Sequence, residues 1–126
     1  MKRLHFALCV TIAMCGGCDR KSDFITEASP FLEMKVPTPS DGKVAIAARG
    51  ERFAKQHGMK VHFVPDHFEP REYSLSLTRT DLNIVAANVQ SGGASNVSAY
   101  SRSAPTSAQR AEVEDYLCEV MHRCSP

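Results

Sequence analysis

Three imidazoles and two carboxylates lie within a short stretch of the chain, between His57 and Glu69. His62, Asp66, His67 and Glu69 combine the nitrogen and oxygen ligands that zinc or copper accept, and the same groups could transfer protons in a hydrolytic reaction. The regular spacing of five residues between successive histidines fits no known ligand motif. Surface histidines at the end of a strand are therefore the preferred interpretation, and a metal-binding or hydrolytic periplasmic protein is kept as the alternative.

A second group near the C-terminus contains Cys118, His122 and Cys124. A zinc site needs four ligands, and no fourth ligand is evident in the sequence, so a disulfide between Cys118 and Cys124 is preferred over a metal or thiolate site. Six residues along a continuous helix would separate the two Cα atoms by about 9 Å. Because a disulfide tolerates about 7 Å, we expect the helix to end or distort between Met121 and Arg123.

Motifs of the common enzyme classes are missing from the sequence. The chain has no G-x-S-x-G elbow, no P-loop and no dinucleotide-binding fingerprint. Its 15 basic and 14 acidic residues nearly balance, which argues against a nucleic-acid partner. No apolar stretch approaches the roughly 20 residues of a membrane-spanning helix. We therefore expect one domain that is not an enzyme and carries no cofactor.

The N-terminus has the organisation of an export signal. Lys2 and Arg3 precede a mostly apolar run from Leu4 to Met14, which is too short to cross a bilayer and has the length of a secretory signal. The sequence Gly16-Gly17-Cys18 follows, and a polar stretch comes after it. This segment resembles the signal peptides of bacterial lipoproteins, in which two small residues precede a lipidated cysteine.

The resemblance implies that residues 1–17 are a signal peptide and that cleavage leaves Cys18 as a lipidated first residue, with palmitate among its acyl chains. Cys15 departs from the family pattern, which prefers an aliphatic residue at that position. An ordinary secretory signal and a buried N-terminal helix are the alternatives. Cys9 and Cys15 would be lost with the signal. Besides Cys18, two cysteines would remain, and this even number favours a disulfide between them in an oxidising compartment.

Processing would also change the charge. Residues 1–17 contain Lys2 and Arg3 and no acid, so 15 basic residues become 13 against 14 acidic ones, a net charge of −1. Acyl chains, rather than attraction to anionic lipid, would then hold the protein on the membrane. Asp19 follows the lipidated cysteine, and in enteric-type bacteria the family resemblance implies retention on the periplasmic side of the inner membrane.

The remaining chain divides into a tether and a domain. Residues 18–39 are predicted to be a proline-rich tether, because proline disfavours helix and central strand alike, and residues 40–126 to be a small domain. The fold class is predicted to be α+β: a helix, a four-stranded antiparallel meander and a helix, with both helices on one sheet face. The predicted elements are a helix from Ser40 to His57, strands Met59–Val64, Tyr73–Thr78, Leu82–Val89 and Val97–Arg102, and a helix opened by a capping box of Thr106 and Gln109.

The alternation in the second predicted strand leaves one sheet face polar. Ser74, Ser76 and Thr78 should point away from the helices and form an open, hydroxyl-lined surface. This surface is the predicted contact for a partner in the cell envelope, either a protein or a cell-wall component. The leading hypothesis is a lipid-anchored, non-enzymatic binding module, which includes the inhibitor and immunity types.

The two helices carry opposite charges. Basic residues lie on or beside the first helix, whereas the last helix is acidic. The simpler interpretation is that both charged faces are solvated and attract each other at long range. The alternative is that the basic face docks to lipid phosphates or to an acidic partner. The basic residues are Lys43, Arg49, Arg52, Lys55 and Lys60.

Overall fold

The computed structural model describes residues 29–65, 73–88 and 93–125. In chain order the elements are β1 (Leu32–Pro37), α1 (Lys43–His57), β2 (Lys60–Pro65), β3 (Tyr73–Thr78), β4 (Asn83–Asn88), β5 (Ala94–Tyr100) and α2 (Ser107–Glu119). The strands form one antiparallel sheet in the order β1-β5-β4-β3-β2, so β1 and β2 lie at its edges. The predicted α+β class is therefore confirmed.

The strand β1 lies within residues 18–39, for which the prolines predict a tether. The prediction of four strands with a helix first is therefore wrong, because the sheet has five strands and begins with a strand. Leu32, Met34 and Val36 face the core, and β1 pairs along its whole length with β5. Pro37 is compatible with this arrangement because it is the last residue of an edge strand.

The helix α1 is bounded by glycines with positive φ. It begins after Gly42, whose φ is 97°, and not at the predicted Ser40, so it has no side-chain cap. It ends where Gly58 adopts a left-handed conformation with φ of 64°, as the sequence predicts. Inside the helix, Gly50 allows close packing on β3, since a Cβ atom there would lie 2.7 Å from Cδ2 of Leu75.

The helix α2 begins with the predicted capping box. The Thr106 hydroxyl accepts a hydrogen bond from the Gln109 backbone N–H at 3.0 Å, and Gln109 Oε1 accepts one from the Thr106 N–H at 2.9 Å. The helix ends at Glu119, before the second cysteine of the C-terminal pair. The predicted end of the helix near residue 121 is thus confirmed.

Both helices pack on one face of the sheet. Alternation along β3 buries Tyr73, Leu75 and Leu77, and these side chains share one hydrophobic core with residues of both helices. Across that core, the rings of Phe53 on α1 and Tyr116 on α2 meet edge to face, with centroids 5.6 Å apart. The fully buried large residues of the core are Val36, Ile46, Phe53, Leu75, Leu77, Leu82, Ile84, Val97, Val113, Tyr116, Val120 and Met121.

Candidate functional site

The sheet face opposite the helices carries mostly small side chains on its middle strands, and it is partly exposed there, whereas Thr78 and Asn83 at one end of the face are buried. In its central row, antiparallel pairing places Ser76 beside Val85 and Val85 beside Ser98. Exposed His62 and Glu33 flank this row on the two edge strands. The result is a shallow polar surface, called here the open sheet face, that spans five strands and about 19 Å.

The three hydroxyl residues predicted for partner contact all lie on this face, but they differ in exposure. Ser74 and Ser76 are half-buried, so their hydroxyl groups remain within reach of a partner. Thr78 is buried, with 6% of its surface exposed. Thr78 lies at the end of the face, paired with Asn83, and its burial leaves little of its side chain for the direct contact that the sequence predicts.

Asn83 is a polar residue of this face that sequence reasoning missed. It is fully buried at the start of β4, between Thr78 on β3 and Tyr100 on β5. Neither its Oδ1 nor its Nδ2 atom has a hydrogen-bond partner among the described residues. Alternation along β4 predicts that the Asn83 side chain lies on the open sheet face. Its burial depends on neighbouring residues from other strands, which no local sequence pattern reveals.

The alternative metal hypothesis rests mainly on residues outside the described part of the chain. His62 lies exposed on the edge strand β2, with its side chain on the open sheet face. Asp66, His67 and Glu69 fall in the segment 66–72, outside the described residues. Within the described ranges, no group of three or more histidine, cysteine or acidic residues is arranged to hold a metal ion.

A charged network joins α1, α2 and the turn between β3 and β4. Arg79 donates two hydrogen bonds to the Glu112 carboxylate, at 3.0 and 2.8 Å, and two to Asp81. The ring of His57 also contacts Glu112, with Nδ1 2.9 Å from Oε2. Hydrogen bonds from Arg79 hold the pKa of Glu112 and that of Asp81 below their ordinary values. The network thus positions the two helices against the β3–β4 turn.

The C-terminal cysteines close the end of α2. Cys118 and Cys124 lie at disulfide distance, with Cα atoms 4.1 Å apart, as the sequence predicts. Their bond fixes the segment that follows α2, in which the Val120 carbonyl accepts a hydrogen bond from Nε of Arg49 at 3.0 Å. Arg49 also binds Asp41 through both carboxylate oxygens, and these hydrogen bonds lower the pKa of Asp41. Arg49 therefore ties the segment that follows α2 to α1 and to Asp41 in the β1–α1 connection.

A groove, called here the end groove, lies between this connection and the C-terminal loop. Residues 37–40 form one wall and residues 121–123 the other, around a volume of about 480 Å³. A smaller pocket of about 290 Å³ lies on the other side of residues 38–40. The end groove contains hydroxyl, imidazole and guanidinium groups, which are ordinary ligands for anions.

A chain of hydroxyl groups fixes the first wall of the end groove. Thr38 Oγ1 lies 2.8 Å from Ser95 Oγ, which lies 2.8 Å from the Tyr73 hydroxyl. The Tyr73 hydroxyl also contacts the Met121 sulfur at 4.0 Å. Burial raises the pKa of Tyr73, so its hydroxyl stays protonated and holds this chain together. The two walls are thus linked through the interior of the domain.

Comparisons with family models, curated proteins and solved structures find no match for this chain. Among the described helices, none combines the length and apolar character needed to cross a membrane. Cys18 and Asp19 lie outside the described residues.

Proposed function

We propose that the protein is a lipid-anchored lipoprotein of the bacterial envelope whose α+β domain is a non-enzymatic binding module. The anchor is Cys18, and Asp19 favours the periplasmic side of the inner membrane. The partner is an envelope protein or a cell-wall component, and inhibitor or immunity proteins are one form of this class.

The observation that carries the binding role is the open sheet face. Both helices lie on the opposite side, so the backbone of five strands presents a rigid platform to solvent. Its small side chains, with Ser74 and Ser76 near the centre, allow a partner to approach the sheet closely.

A crosslinking experiment in cells tests the face. A photoreactive amino acid is placed at Ser76 in the full chain, and a matched control chain carries it at the exposed Arg52 on α1. We expect one discrete adduct from position 76, and its loss when Ser74→Arg is added. If position 52 gives the adduct and position 76 gives none, α1 is the binding surface and this assignment fails.

A second experiment tests the anchor separately. The Gly16-Gly17-Cys18 match motivates lipidation, so the wild-type chain should partition into detergent and its mass should include acyl chains. Cys18→Ser should abolish the added mass and release the protein or leave it uncleaved, whereas Cys118→Ser should leave the added mass unchanged. A wild-type chain that lacks acyl mass and stays in the aqueous phase would exclude the anchor.

A further inference from the structure

The end groove has two walls, and hydrogen bonds and a disulfide hold each of them in place. The first wall is tied to the sheet through Thr38 and Ser95. The second wall is held by the Cys118–Cys124 bond and by a hydrogen bond of 2.8 Å from the Arg123 N–H to the Leu117 carbonyl. A groove between fixed walls is a preorganised binding site, because little order has to be gained when a ligand enters.

The backbone at His122 is in the left-handed region. Its φ is 60°, and among the described residues it is the one non-glycine residue with positive φ. Glycine would adopt this conformation without a steric penalty, as Gly58 does at the end of α1. A left-handed residue commonly closes the end of a helix, and the histidine at this position places an imidazole on the wall of the groove.

Arg123 gives the end groove a positive charge. The side chains of His122 and Arg123 are exposed on the second wall. The nearby carboxylate of Asp41 is matched by Arg49, which binds both of its oxygens. On the facing wall, the Ser40 hydroxyl is exposed and can donate a hydrogen bond.

We propose that the end groove binds a phosphoryl group. The planar guanidinium of Arg123 matches the oxygen atoms of a phosphate, while His122 and the hydroxyl of Ser40 supply further donors. This site is separate from the open sheet face, and only the choice between a soluble and a lipid-borne ligand rests on the proposed anchor.

The position of the groove favours a soluble ligand. The described chain enters β1 at Leu32, whereas the groove lies beyond Pro37 at the other end of the strand. Six residues of strand place these points about 20 Å apart. A membrane anchor that precedes β1 therefore joins the domain at the end opposite the groove, and a free phosphorylated molecule reaches the site more easily than a lipid headgroup.

The test is a titration of the full chain in nanodiscs of phosphatidylcholine, with pyrophosphate as the probe. Backbone NMR signals of Ser40, His122 and Arg123 should shift together and saturate. Arg123→Gln should weaken the affinity at least tenfold, and His122→Gly should do the same while raising the melting temperature. His122→Asn retains tolerance of the left-handed conformation and should also lose affinity. Arg52→Gln, which removes the same charge from exposed α1, is the matched control and should leave the affinity unchanged.

A second set of nanodiscs, in which phosphatidylglycerol is added, distinguishes the source of the phosphoryl group. Shifts of the groove signals in these discs alone, abolished by Arg123→Gln, would support the site and assign it to lipid headgroups. Equal affinity in all the variants, or equal loss in Arg52→Gln, would show diffuse ion pairing and overturn the proposal. Absence of groove shifts with both pyrophosphate and phosphatidylglycerol would also overturn it.

Discussion

Arg79 and Glu112 form a two-pronged ion pair that joins the β3–β4 turn to α2. Nη2 of Arg79 lies 2.8 Å from Oε1 of Glu112, and Nη1 lies 3.0 Å from Oε2. The two side chains are 25% and 19% exposed, so water only partly screens their charges. The same Nη1 atom donates to the His57 carbonyl at 2.6 Å, which brings the end of α1 into the contact. One arginine thus fixes both helices against one turn.

Glu112→Gln should destabilise the domain. The change keeps the shape of the side chain but removes the charge that Arg79 and His57 share, which should cost about 2 kcal/mol of unfolding free energy. Urea unfolding measures this loss. Asp115→Asn, an exposed change on the same helix, is the control and should have little effect. Equal effects of the two variants would show that the ion pair does not contribute to stability.

The stability of the wild-type chain should fall in acid. The pKa of Glu112 is below its ordinary value of 4.5 because Arg79 hydrogen-bonds to the carboxylate. Folding therefore favours the ionised form of Glu112. The contribution of this carboxylate to the unfolding free energy is fully present above pH 4.5, and it is lost as the pH falls through the lower pKa that Glu112 has in the folded state. Unfolding free energies measured on both sides of that pH should show the decline. Glu112→Gln should decline less steeply, and parallel curves for the two proteins would contradict this assignment.

The elements that could be predicted from the sequence are those specified by local patterns. The alternation from Tyr73 to Thr78 predicts β3 and its buried side, and Thr106 with Gln109 predicts the start of α2. Both signals act between residues a few positions apart, so no knowledge of tertiary structure is needed. The sequence also predicts the cysteine pair, because two thiols besides Cys18 remain after the signal. The spacing of six residues then requires α2 to end before Cys124.

What the sequence did not reveal depends on distant neighbours. β1 is a strand because β5 pairs with it, more than 50 residues later in the chain. The prolines in and around β1, at positions 30, 37 and 39, obscure the alternation of Leu32, Met34 and Val36. The contact between His57 and Glu112 likewise joins residues whose proximity the fold alone creates. The burial of Thr78 also depends on distant residues. Alternation along β3 predicts which sheet face its side chain is on, but not how much of it is exposed.

Removal of the Cys118–Cys124 bond should destabilise the domain. Closing this short loop restricts the unfolded chain, which contributes about 2 kcal/mol in the chain-entropy account. The double variant Cys118→Ser, Cys124→Ser should lose that amount in urea unfolding and should not respond to dithiothreitol, whereas the wild-type chain should. Alkylation of the unfolded, unreduced protein should label neither cysteine, and labelling of both would exclude the bond.

Asn83→Val should stabilise the domain. Both polar atoms of the Asn83 side chain are buried without a hydrogen-bond partner among the described residues, so the folded state carries an uncompensated desolvation penalty. Valine removes those atoms and suits a strand, which should raise the unfolding free energy by about 1–2 kcal/mol. Asn96→Val on β5 is the control: it lies exposed on the same face, removes no buried amide, and should change the unfolding free energy much less. A loss of stability in Asn83→Val alone would show that the amide forms a hydrogen bond in solution, with an ordered water as the natural partner in so buried a position.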